Sequence, residues 1–387
     1  MKAILLAIIL GMALLSPVVN AVAYTPKQDS EVLERLPIAT VERKRLRQQR
    51  LQLAKNPGDY RLALDSAKQN IALGRLHSDP RYYGYAEVIL NPWLNSENSY
   101  PDALVLRATV LQNRHNFQSA LSDLHAALKI NPRLPQAWLT LAAIQEVQGD
   151  YPAALTSCMA LTRLSSSLTA AACIHSALSL SGQAQSSYEQ LVAAIDNSDS
   201  TAEELTWIYT ILAEMAERLN LSKEAESWYQ KAMAIRYRSV YLLTAYADFL
   251  LDHNRSADVI GLLQEEIQAD ALLLRLTLAE QRLHSQQFAE HARLIKGRIA
   301  AAKDRGDTVH QGDESRFTLQ VLNDAPTALE LALNNWAVQK EPRDARLLLE
   351  AALAAKKPDA ALPVIQFLDQ TRLEDVRLQP LIRFAKG

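Results

Sequence analysis

Glycine is scarce in this chain of 387 residues, with 11 in all, and cysteine is scarcer, with two. No glycine-rich loop of the phosphate-cradling kind can be found, which removes the nucleotide-binding signatures. The two cysteines do not form a CxxC pair, and nothing beside either one suggests an activating base. Alternating β-branched runs are few, so almost no sheet is expected. No charge sign dominates: the formal net charge is −2, and neither nucleic acid nor an anionic membrane surface is indicated as a partner. HExxH and GxSxG are both absent, so zinc-peptidase and serine-hydrolase chemistry lack their usual residues. Beyond the N-terminus no segment approaches the ~20 uninterrupted apolar residues that a membrane helix needs.

What is present begins with a leader pattern. Met1-Lys2 is a short basic start, AILLAIILGMALL an apolar core closely followed by Pro17, and NAVA ends in an Ala21-x-Ala23 cleavage pattern. Residues 1–23 read as a signal peptide cut after Ala23, with Tyr24 as the mature N-terminus. An uncleaved anchor is the alternative, and the apolar run is short for one. No cysteine near the cut could accept a lipid. Export to a bacterial periplasm is the expected destination, with no transmembrane segment after cleavage.

The apolar share of 49% is ample for a continuous core, and it is organised as a repeat. LRATVLQNRHNFQSALSDLHAALKINP, WLTLAAIQEVQGDYPAALTSCMALTRL and LAEMAERLNLSKEAESWYQKAMAI share an early small residue, an alanine in the second half and a large residue after it. Ala120 and Ala154 are 34 positions apart, as are Ala225 and Val259, which is the tetratricopeptide period. One such helix pair cannot bury its own apolar face, so the repeat implies a stack. The expected fold is all-α: helical hairpins stacked as a right-handed superhelix, an α-solenoid.

Along the chain, residues 24–57 read as a polar lead and a capping helix, ERKRLRQQRLQLAK, broken at Asn56-Pro57-Gly58. Its basic run is either a solvated face or a surface for phosphate or an acidic partner. Residues 58–270 form the repeat array. Its first unit places Ala67 at the early small position and Gly74 at the turn, with HSDPRYY as an insertion before the second helix. The clearest unit has Leu104, Ala108, Leu111, Ala120, Leu124, Ala127 and Pro132 in the signature slots, and the next has Trp138, Leu141, Ala142, Ala154 and Cys158. Residues 271–387 read as degenerate hairpins broken at NDAP, KEPRD and KKPD, with TRLEDVRLQPLIRFAKG as a terminal capping helix.

Residues 101–265 resemble tetratricopeptide repeat proteins, since several units keep both the period and the slot chemistry. AYADFLL, LLLRLTLAE, GDTVHQGDESRF, NNWAVQKEPRDARLLLEAAL and TRLEDVRL look like exported tetratricopeptide proteins of Gram-negative bacteria that carry no assigned activity. In most units the glycine of the family pattern is replaced. The resemblance implies a concave face lined mainly by first helices. Laid on this register, that face includes Thr109, Gln112, Asn113, Leu139, Ala143, Glu146, Trp207, Thr210, Glu214, Tyr241, Thr244 and Asp248. The Lys, Asn and Arg set with which cytosolic relatives clamp a C-terminal carboxylate is missing. An extended peptide, a helix or another envelope protein is then the expected ligand, and no cofactor or metal is expected.

Cys158 and Cys173 lie seven or eight residues either side of a turn near Ser165 to Ser167, so antiparallel helices would set them opposite one another. A disulfide follows in an oxidising compartment, worth about 3 kcal/mol for a loop of this length; two buried thiols are the alternative. His284 and His291, seven apart, would share a helix face. One local cluster, RGDTVHQGDESRF, puts Asp307, His310, Asp313 and Glu314 in a loop before a helix. It is either a metal or acid–base site, or a turn in which Asp313 caps the following helix. Glu203-Glu204 and Glu265-Glu266 diverge as helix neighbours and suit glycosidase chemistry poorly. Two functions remain: a non-catalytic exported adaptor that binds a protein or peptide partner of the cell envelope in its groove, or a helical-array envelope enzyme acting on glycan or peptide near His310.

Overall fold

A computed structural model describes residue 28 and residues 40–94, 100–195, 200–235, 237–304 and 310–386. The expected signal peptide, residues 1–23, and nearly all of the lead up to residue 39 lie outside the described residues. Among the described residues there are 20 α-helices and no strand. None of these helices is long and apolar enough to cross a membrane.

The chain divides after Pro57 into two units. The described part of the first is essentially α1 (Thr40–Lys55), on which Lys44, Arg45, Arg47 and Arg50 are all exposed. The second unit is a run of hairpins. They pair α2 (Tyr60–His77) with α3 (Pro80–Leu94), α4 (Pro101–Asn113) with α5 (Phe117–Ile130), α6 (Pro135–Val147) with α7 (Tyr151–Ala160), and α8 (Ser167–Ser179) with α9 (Ala184–Ala193). There follow α10 (Ala202–Arg218) with α11 (Ser222–Ala234), α12 (Val240–Asp252) with α13 (Ser256–Leu263), α14 (Asp270–Arg282) with α15 (Phe288–Asp304), and α16 (Gln311–Gln320) with α17 (Ala325–Val338). The chain ends in α18 (Pro342–Ala354), α19 (Leu362–Thr371) and α20 (Gln379–Lys386). From α2 to α18 each first helix also touches the next first helix. That is tetratricopeptide-type stacking, and it gives the array a continuous inner face.

Local chemistry explains where the helices begin and end. Asp59, Asn116, Asp150, Ser166, Thr201, Ser239 and Asp324 each accept a backbone N–H from the first turn of the helix they precede. Thr201 and Glu204 do so reciprocally, as a capping box. The turn inside each hairpin needs one residue in left-handed backbone. Gly149 and Gly182 supply it in two units, and Ser78, His115, Asn220, Asn254, His284 and Asn323 in the others. A Cβ in that conformation costs about 1 kcal/mol, which stacking offsets.

Alanines at the close helix approaches, among them Ala108, Ala120, Ala154, Ala225 and Ala247, are fully buried. One apolar core runs from Leu168 through Tyr229 and Phe249 to Phe317; truncating a buried ring such as Phe249 would cost about 3–5 kcal/mol. The C-terminal core, built on α17 to α20, takes in Tyr151 and Leu180 from the middle of the array. The last helices therefore fold back onto the turns of the central hairpins. Lys340 N–H donates to Val147 O (2.7 Å), Val376 N–H to Arg218 O (3.0 Å) and Ala184 N–H to Glu374 Oε2 (3.0 Å).

Several expectations need correction. Gly74 lies inside α2, not at its turn, and Tyr83 packs so close that an added Cβ would meet the ring at 2.9 Å. HSDPRYY is no insertion: Ser78 and Asp79 make the whole turn, and Pro80 starts α3. His284 stands in the turn after α14 and His291 in α15, so the two share no helix. The terminal segment is helical only from Gln379.

Candidate functional site

The residues assigned to the inner face from the sequence stand in three different conditions. Thr109 and Thr210 are buried, with hydroxyls donating to the carbonyls one turn back, Val105 O at 3.0 Å and Thr206 O at 2.7 Å. They are committed to their own helices. Gln112 is half-buried, and Asn113, exposed at the end of α4, hydrogen-bonds Tyr83. Trp207 is partly buried against the central core, and Leu139 against the small core around the cysteines. Asp248 is locked: its carboxylate takes Arg275 at 2.9 Å and Arg316 at 2.6 Å. Burial alone would raise its pKa, but the two guanidiniums prevail and hold it well below the usual carboxylate range.

Glu214 and Tyr241 are brought into contact, whereas Glu146 and Arg218 each bond to a serine of α8, Ser176 and Ser179. Tyr241 keeps 41% of its surface accessible, and its hydroxyl donates to Glu214. Glu146 accepts only from Ser176 Oγ, at 3.1 Å. Burial pushes its carboxyl up to about 8; Ser176 and Arg218 counteract this, while Glu341 and Glu214 add to it. Burial likewise raises Glu214, against its bond from Tyr241 and the charge of Arg218.

The sequence does not announce the start of α18, which the Lys340 N–H to Val147 O bond brings to the end of α6. Glu341, Arg343 and Asp344 at the start of α18 act on this group: Glu341 on Glu146 and Tyr241, Arg343 on Glu214 and on Asp313 of α16. The segment KEPRD reads only as a helix break, and nothing local in it announces a role 195 residues from Glu146. Arg218 was a legible sign, being a charge one turn beyond Glu214 on a largely apolar helix; it is buried and its Nη2 donates to Ser179 Oγ at 2.7 Å. Among the described residues, Tyr151 Oη, Arg218 Nε and Thr244 Oγ1 are buried side-chain atoms without a hydrogen-bond partner.

The returning C-terminus bonds to the ends and turns of the central hairpins. Arg377 pairs with Glu217 (2.6 Å) and Asp375 (2.8 Å), Arg346 with Asp252 and Glu350, and Gln339 Nε2 lies 3.1 Å from His115 Nδ1. Outside this seam is a cleft of about 250 Å³ lined by Glu217, Asn220, Ser222, Asp252, His253, Arg346 and Arg377. Its arginines are already matched by carboxylates.

Cys158 and Cys173 are joined as a disulfide between α7 and α8, with Cα atoms 5.4 Å apart. At the other candidate, Asp313 does not cap the helix: it sits in the first turn of α16 and pairs with Arg275 at 2.6 Å. Glu314 pairs with Lys303, and the His310 ring meets that of His115 edge-on at 6.2 Å. Asp307 lies outside the described residues. Both described carboxylates are thus held by cations rather than by His310. Among the described residues no three His, Cys, Asp or Glu side chains are disposed to hold a metal ion.

No protein-family model matches the chain, and no curated protein does. Solved structures do. The APC/C hetero-tetramer Cut9–Hcn1 aligns at a TM-score of 0.36 and 10% identity, covering 88% of this chain and 52% of that one. This chain therefore spans about half the length of that protein. Yeast Tom70 aligns at 0.34 and 12%, covering 89% and 84%, and the P58(IPK) TPR domain at 0.25 and 14%, covering 85% and 98%.

Proposed function

We propose that this protein is a non-catalytic scaffold, exported to the bacterial periplasm, whose inner face takes up a segment of a protein or peptide partner in envelope assembly or in support of a membrane complex. The observation that carries the reading is the run of first helices in contact with one another, on which Glu146, Glu214 and the accessible Tyr241 lie. Such a surface binds by many modest contacts along an extended chain. The leader pattern of residues 1–23 supports export, and the Cys158–Cys173 bond suits an oxidising compartment.

The test is crosslinking in intact cells, with recovery of the mature protein and identification of what comes with it. One recurring envelope protein, lost on Tyr241→Ala and retained on a substitution of exposed Val88, is the expected result. Equal recovery with Tyr241→Ala would remove the groove assignment, and a protein found in the cytoplasm would remove the export assignment.

A further inference from the structure

Helix α1 takes no part in the inner face, yet its charge is opposite to that of the chain. Its 16 residues hold six Lys or Arg and one Glu, +5 against −2 for the whole. The near-neutral total conceals this helix because the other residues are net acidic.

Helical geometry gathers the charge. At about 100° per residue, Lys44, Arg47, Arg50 and Lys55 fall within an arc of about 140°, and all four are exposed. Leu51 lies inside that arc with 54% of its surface accessible. The half-buried residues Leu46, Gln49 and Leu53 lie on the other side. Among the described residues none of the four cations has an ion-pair or hydrogen-bond partner. Exposed arginines of the second unit are matched, as Arg114 is by Glu87 and Arg255 by Glu226.

Such a face is costly to hold in water. Lys44 and Arg47, and Arg47 and Arg50, are like charges at i,i+3 and repel one another. No described residue of α1 belongs to an apolar core that would offset this, and a helix of this length is marginal alone. An external array of anions removes the repulsion and stabilises the helix.

The arrangement also indicates which anions. The cations are spread along about 17 Å of helix and do not converge on one point, so they suit many separate anions. Arginine forks match phosphate oxygens well. Leu51 favours a bilayer over an acidic protein: a single leucine inside a cationic face finds apolar cover just beneath a layer of headgroups.

We propose that α1 lies on an anionic phospholipid surface, with Lys44, Arg47, Arg50 and Lys55 against headgroup phosphates and Leu51 entering between them, and so tethers the chain to a membrane. The inner face plays no part in this, so either reading can fail without the other. Such attachment is reversible. Each basic side chain near an anionic bilayer contributes about fivefold, and salt screens that attraction beyond about 10 Å at about 0.1 M.

The experiment is co-sedimentation of the full mature chain with vesicles of phosphatidylglycerol and phosphatidylethanolamine, and with vesicles of phosphatidylcholine alone. Wild type is compared with the triple variant Lys44→Gln, Arg47→Gln, Arg50→Gln and with Leu51→Ser. Glutamine keeps the helix propensity, and circular dichroism checks folding. Binding to the anionic vesicles only, weakened about a hundredfold in the triple variant and also weakened as salt rises from about 0.1 M to about 0.5 M, supports the proposal. Leu51→Ser should weaken binding severalfold at either salt concentration; unchanged binding would overturn the insertion and with it the choice of lipid. No binding to anionic vesicles, equal binding to phosphatidylcholine, or full binding by the triple variant overturns the surface. An envelope protein crosslinked to wild type and not to the triple variant, with no vesicle binding by either, would assign the cationic face to an acidic protein instead.

Discussion

Glu146→Gln should make the protein more stable in mild alkali. The folded carboxyl is held at about 8 against an ordinary 4.5, and each unit of difference is about 1.36 kcal/mol. Because the folded value is raised, the folded state binds more protons than the unfolded one between those limits. Stability therefore falls as pH climbs through that window, and the full cost is present above pH 8. The whole difference would amount to about 5 kcal/mol; Glu146 is only half-buried, and solvent screening reduces the expected gain to about 1–3 kcal/mol. Glutamine keeps an oxygen to accept from Ser176 Oγ and cannot ionise. Urea unfolding of both proteins from pH 4 to pH 9 measures this: the two midpoints should nearly coincide at pH 4 and separate progressively above pH 5, the variant being higher. A gap that does not change with pH, or a variant less stable than wild type at pH 8.5, would refute the assignment of Glu146 to a desolvated, under-neutralised site.

Replacing Cys158 and Cys173 together by alanine removes a 15-residue crosslink and should cost about 3 kcal/mol. Thermal melts would show wild type with reductant moving toward the variant, and no such movement would mean that the bond does not form in the mature protein. Gly149→Ala puts a Cβ 2.6 Å from the Phe367 ring at a φ of +79°; a loss of about 1–3 kcal/mol is expected, with faster protease cleavage after residue 339 as the C-terminal helices detach. Wild-type stability and cleavage would show that this contact does not hold the C-terminus. Sequencing of the exported protein should begin at Tyr24; a chain that still begins at Met1 would contradict the leader assignment.

The hairpins were legible because their information is local and periodic. Small residues such as Ala120 and Ala154 recur at the close approaches, and caps such as Asp59 and Ser166 stand where the apolar spacing starts. Turns that lack glycine were harder, as Ser78 shows: with no glycine to mark it, the break was sought at Gly74, which is needed for contact with Tyr83 instead. The return of the C-terminus could not be read at all. It depends on backbone bonds such as Val376 N–H to Arg218 O, and a main-chain group carries no sequence signature. The inner-face residues follow from the geometry of the resembled family laid on the repeat register, which places a side chain on a face but does not say what stands opposite. Asp248 and Glu214 occupy equivalent helical positions, yet one lies between two arginines and the other receives a tyrosine hydroxyl. That difference is set by α14, α16 and α18, far along the chain.

The account stands on the inner face being the surface that meets a partner. A photo-reactive phenylalanine analogue placed at position 241, and in a second protein at Val88 on the outer surface of α3, tests this directly in living cells. The expected result is one envelope protein crosslinked from position 241 and not from position 88. The same products from both positions, or none from position 241, would contradict it.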